Sequence, residues 1–105
     1  MIRYVKKILL GIAILCLFSP MLVQANEKVN LYFFWGDGCP HCAQEKLVLE
    51  QLKNKYSELN VYYYEVWNNQ NNKKILDRVG KALKEKISGI PFTVIGTNTF
   101  TGFFP

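Results

Sequence analysis

The chain has 105 residues, with 13 Lys and Arg against 8 Asp and Glu, half of its residues apolar, 14% aromatic, three cysteines and one histidine. That length holds one small domain at most. The composition is that of a globular chain and argues against wholesale disorder, collagen-like repeats and a multi-bridged disulfide scaffold.

The first 25 residues have the layout of a targeting segment. Arg3, Lys6 and Lys7 precede an unbroken apolar stretch from Ile8 to Phe18, after which Ser19 and Pro20 break the run ahead of Val23, Gln24 and Ala25. An apolar core of 11 residues is short for a hydrocarbon layer of roughly 30 Å at about 1.5 Å per residue, and Val23 and Ala25 are the small residues that a signal peptidase reads. The expected organisation is a signal peptide over 1–25, cleaved after Ala25, and a domain over 26–105. Retention of the segment as an anchor extended through Met21 to Val23 is the alternative, and only then is a membrane a partner. Cys16 lies inside the apolar core behind Ile14 and Leu15, which is not a lipoprotein signal.

Removing these residues takes away three positive charges and no negative ones, leaving 10 against 8. The remaining lysines are spread among glutamates along two helical patterns, so no nucleic-acid partner is expected. Export places the domain in a periplasmic or other extracytoplasmic setting, where disulfides form and persist. Only Cys39 and Cys42 remain there.

Within 26–105 the elements follow in order. Val29 to Trp35 is a short apolar and aromatic run that reads as a buried strand, and Gly36, Asp37 and Gly38 form a turn. From Pro40 to about Ser57, Ala43, Leu47, Leu49, Leu52 and Tyr56 recur at helical spacing, with Pro40 suited to a first helical turn where its missing N–H is not needed. Asn60 to Trp67 is β-branched and aromatic, a second strand. Ile75, Leu76, Val79, Leu83 and Ile87 mark a second helix that stops before Ser88 and Gly89. Phe92 to Ile95, entered through Pro91, and Thr99 to Phe103 form a terminal hairpin. The order β-α-β-α-β-β predicts an α/β domain with a mixed sheet, its first crossover joining parallel strands and the hairpin adding an antiparallel edge. One face of that sheet is expected to lack cover.

Cys39-Pro40-His41-Cys42 places two thiols where a turn becomes a helix. The first sits near the unpaired N–H groups and the positive end of the helix dipole, which favour thiolate over thiol. The second lies one turn further in, where it can attack a mixed disulfide formed at Cys39. Cys39 is therefore the candidate nucleophile and Cys42 the resolver. A purely structural bridge is the first alternative, although so short a loop constrains the unfolded chain little. A metal clamp with His41 is the second, although a structural zinc site takes four ligands and the mature chain has two cysteines and one histidine. No metal and no cofactor is expected.

With Trp35 after the first strand, C-P-H-C at a helix start and Ile90-Pro91 before a later strand, residues 28 to 104 resemble the thioredoxin superfamily. The resemblance implies a thioredoxin-like fold, a cis peptide bond before Pro91, and main-chain hydrogen bonds from Ile90 to an extended substrate segment, with Trp35 beside it. The dipeptide Pro40-His41 is similar to that of the DsbA oxidases, which implies that His41 stabilises the Cys39 thiolate and raises the reduction potential. Two departures stand out. The family's buried acid two residues before Trp35 is Phe33 here, so the proton acceptor for Cys42 has no counterpart, and only 48 residues separate Cys42 from Pro91, which leaves no room for the helical insertion of DsbA. The family's C-terminal helix also has no counterpart after Phe104, as in a chain cut short.

The expected function is that of an exported thiol-disulfide oxidoreductase, its partners being cysteine-containing protein substrates and a redox partner protein. The alternative is a non-catalytic binding module or a Cu(I) carrier using the same two thiolates.

Overall fold

A computed structural model of the chain describes residues 27–105. The expected signal segment, with Cys16, lies outside the described residues. Six elements follow one another: strand β1 (Val29–Trp35), helix α1 (Pro40–Lys55), strand β2 (Leu59–Glu65), helix α2 (Gln70–Leu83), and strands β3 (Phe92–Ile95) and β4 (Asn98–Thr101). The strands form one sheet in the order β2-β1-β3-β4. β1 runs parallel to β2, Leu31 opposite Val61 and Phe33 opposite Tyr63, and antiparallel to β3, Phe33 opposite Thr93. β3 and β4 close the sheet as an antiparallel hairpin. This connectivity and strand order are those of the thioredoxin-like fold. Among the described residues no helix is long and apolar enough to cross a membrane.

Alternation along the strands divides the core in two, because successive side chains point to opposite faces. Leu31 and Phe33 of β1 form one cluster with Cys39, Cys42 and Leu49 of the α1 segment, flanked by Val61 and Tyr63 of β2. Phe34, Phe92 and Val94 form the other with Leu76 of α2, flanked by Tyr32, Tyr64 and Val79. Each face therefore carries a helix, and the expectation of an uncovered face is corrected: the two crossovers place α1 and α2 on opposite sides of β1. Cross-strand rings supply much of the packing, with Phe34 stacked on Tyr64 at 5.1 Å between centroids and Phe33 edge-on to Tyr63 at 6.0 Å.

Local signals set the helix ends. α1 opens with Cys39 as N-cap and Pro40 in the first turn, and closes where the Tyr56 N–H reaches Leu52 O. α2 opens on Asn69, whose side chain accepts the Asn72 N–H at 3.1 Å, and closes on Lys84 in the left-handed region. α1 stops at Lys55 rather than Ser57, and α2 releases Ile87 from the helix. The inward stripe of α1 also departs from the expected one. It runs through Cys42, Glu45 and Leu49, while Leu47 and Tyr56 are exposed. With Cys42 fixed inward by the cap, a residue five positions later lies about 140° around the helix, so Leu47 faces out.

Candidate functional site

The turn between β1 and α1 is built to present Cys39. Gly38 has φ +92°, a region that residues with a Cβ rarely enter. Gly36 is crossed so closely by the Trp67 indole and the Ile90 side chain that a Cβ there would overlap both. The Cys39 N–H closes the turn on Gly36 O at 3.1 Å. At the far side Glu65, the last residue of β2, accepts the Asp37 N–H at 2.9 Å and the Asn68 N–H at 2.7 Å. The Asp37 bond first, then that from Asn68, holds the Glu65 carboxyl below the usual carboxylate range.

Cys39 and Cys42 are joined as a disulfide with their Cα atoms 5.2 Å apart. Cys39 has extended backbone angles at the N-cap, and its Sγ accepts the Cys42 N–H at 3.2 Å. The sulfur of an N-cap cysteine thus stands where an N-cap oxygen usually does, facing N–H groups that stabilise negative charge. Both cysteines are buried, Cys39 less completely, with 7% of the residue exposed against 1% of Cys42.

The other residues expected at the site fall around this pair. Pro40 and His41 are exposed in the first turn of α1, the His41 ring 6.5 Å from that of Phe104. The Ile90–Pro91 peptide bond is cis. Ile90 packs against the clusters on both faces, and Pro91 is fully buried, its carbonyl accepting the Gly102 N–H at 2.8 Å. Trp35 is half-buried and walls a hollow of about 460 Å³ together with Gly38, Cys39, Pro40, Cys42 and Lys46. The Lys46 ammonium lies 4.9 Å from the Trp35 ring centroid and 5.7 Å from that of Tyr63, which puts a cation beside the two sulfurs' hollow.

Three groups at or near the site were not anticipated. Lys46 follows Cys42 by one turn, and Glu65 anchors the turn. Glu45 is the third: it stands one turn after Cys42 with 7% exposure, and its Oε2 accepts the Thr93 hydroxyl at 2.8 Å. Burial pushes the Glu45 carboxyl above the usual range, against the opposing pull of the Thr93 bond. The i, i+3 spacing from Cys42 was the available signal, masked because a glutamate among Gln and Lys reads as a solvated face.

No protein-family model and no curated protein matches the sequence. Among solved structures, the chain is similar to a glutaredoxin from Archaeoglobus fulgidus, at 26% identity over 82% of this chain and 86% of that chain, with a TM-score of 0.42.

Proposed function

We propose that the protein is an exported thiol-disulfide oxidoreductase that exchanges disulfides with cysteines of other extracytoplasmic proteins. The observation that carries this reading is the Cys39–Cys42 disulfide across the first turn of α1, with the less buried of the two cysteines at the N-cap. A substrate thiolate attacks Cys39 Sγ, the bond to Cys42 breaks, and the Cys42 sulfur leaves with the electron pair. A second substrate thiolate attacking the substrate sulfur then releases Cys39, so that the substrate pair is oxidised and the Cys39/Cys42 pair reduced. Run in reverse, the same steps reduce a substrate disulfide.

His41 and the N–H groups of the first turn stabilise the Cys39 thiolate, and Pro40 pre-sets that turn. Ile90 and Pro91 dock an extended substrate segment, and Trp35 walls its apolar side. Export rests on the residues before Asn26, which also supply the compartment in which such exchange persists.

The test is Cys42→Ser. An exchange protein with this variant accumulates mixed disulfides at Cys39, visible as substrate adducts on non-reducing gels, whereas a metal carrier loses affinity for Cu(I) and forms no adducts. The potential of the wild-type pair in glutathione buffers then gives direction. A value near about −120 mV marks a disulfide donor, and one near about −270 mV a reductant. A folded protein whose pair never equilibrates with glutathione overturns the reading.

A further inference from the structure

Glu45 is a buried carboxyl with no part in the steps above, and its surroundings are specific. It lies on the inward stripe of α1 one turn beyond Cys42, where side chains three residues apart are neighbours with Cβ atoms about 5–6 Å from one another. It meets Thr93, which follows the cis Ile90–Pro91 bond by two residues and stands opposite Phe33 in the sheet. Phe33 itself is fully buried and apolar, so β1 offers Cys42 no acid. The carboxyl arrives instead from the helix, on the same inward stripe as Cys42, with its Oε2 held by the Thr93 hydroxyl.

We propose that Glu45 exchanges the Cys42 proton, and that Thr93 positions it for this. The inference rests on the disulfide-exchange reading. When a mixed disulfide at Cys39 is resolved, the Cys42 Sγ–H proton passes to the Glu45 carboxylate, and the Cys42 thiolate forms the bond to Cys39 Sγ. The bond from Cys39 Sγ to the substrate sulfur breaks, and that sulfur leaves with the electron pair. The cysteine pair is thereby oxidised and the substrate reduced. In the opposite direction Cys42 leaves Cys39 as a thiolate and takes its proton from protonated Glu45. A buried thiolate without such a partner would be an unpaired charge in an apolar setting, the arrangement proteins avoid most strongly. A carboxyl whose burial raises its proton affinity comes nearer to that of a thiol, as proton transfer between them requires.

The other charged and titratable groups around this cluster are few. β1 contributes Leu31, Phe33 and Trp35, and β3 contributes Thr93 and Ile95. β2 contributes Tyr63, whose hydroxyl donates to Glu50 and whose ionisation is displaced upward. On α1, Lys46 lies over the Trp35 and Tyr63 rings and Lys53 pairs with Glu50. His41 is exposed in the first turn.

The measurement is the rate at which the reduced full chain, mixed with oxidised glutathione, converts its glutathione adduct at Cys39 to the internal disulfide between pH 4 and 9. It is read by acid quench and mass of the peptide carrying both cysteines, which keeps Cys16 out of the count. The wild type should show an inflection above the ordinary carboxylate range. Glu45→Gln, which keeps shape and an acceptor for Thr93, should remove that inflection and slow resolution by about 100-fold. Thr93→Val, which leaves the carboxyl but removes the bond that favours its charged form, should move the inflection upward. A Glu45→Gln profile within about twofold of wild type, or an inflection unmoved in Thr93→Val, overturns the inference while leaving the exchange reading intact. A wild-type pair that does not react with glutathione overturns both.

Discussion

Under α2 the sheet presents Tyr32, Phe34, Tyr64, Phe92 and Val94, and the helix answers with Leu76, Ile75 and Val79. Under α1 the same sheet presents Leu31, Phe33 and Thr93, and the helix answers with a disulfide, a carboxyl and Leu49. One face is closed by rings and aliphatic chains, and its hollow of about 250 Å³ is lined by apolar side chains such as Phe34, Tyr64 and Val79. The other face spends part of its interior on a disulfide and a buried carboxyl. The difference shows how a small domain separates tasks: apolar burial behind β1 secures the sheet, so the front can hold ionisable groups where low dielectric shifts their proton affinities.

The strongest way to break this comparison is through the back face. Phe34 is 1% exposed, stacked on Tyr64 and tilted against Phe92 at 6.3 Å. Phe34→Ala should lower stability by about 3–5 kcal/mol in urea titration. That is a large share of what a domain of this size has, so the variant is best titrated with added sulfate or sucrose. In the folded fraction the potential of the Cys39/Cys42 pair should stay at the wild-type value. A shifted potential would mean that the back face tunes the front, and the division of tasks would fail. A milder change on the same side is Asn69→Ala, which removes the side chain that caps α2 and should lower stability by about 1 kcal/mol, again with an unchanged potential.

The same division explains what could be read in the sequence. All six elements were legible because strand alternation, Pro40 at a helix start and the aromatic runs are local signals; C-P-H-C stood out as two thiols at a helix start, whereas Ile90-Pro91 was singled out only through the resemblance to the thioredoxin superfamily. The helix on the back face was not legible: one face was expected to lack cover, and it is the strand order β2-β1-β3-β4 that carries α2 across β1 to cover it. Glu45 and Glu65 were not legible, since a charged residue is assigned to solvent until its partner is known. Those partners lie 48 and 28 residues away, at Thr93 and Asp37. Leu47 failed for the converse reason: its helical phase is set by the Cys39 cap, and its apolar character does not override that phase.

Glu65 joins the two faces, and the smallest effect is expected there. Its carboxylate accepts from Asp37, which leads into α1, and from Asn68, which leads into α2, while its main-chain carbonyl accepts the Asn72 side-chain amide at 3.0 Å. Because these bonds favour the charged form, the folded state holds this carboxyl below its unfolded value. The associated stability is therefore fully present above the ordinary carboxylate range and lost as pH falls through the lowered folded value. Glu65→Gln retains one acceptor oxygen where the carboxylate had two, so the acid limb of the stability profile should flatten while the neutral plateau moves little. Hydrogen exchange should quicken at both the Asp37 and Asn68 amides, since one oxygen cannot serve the two donors as well. Faster exchange at Asn68 alone would mean that the turn before Cys39 is held by its Gly36 and Gly38 geometry without Glu65. The two helix entrances would then be independent, and the separation of the faces would extend to the loops that lead into them.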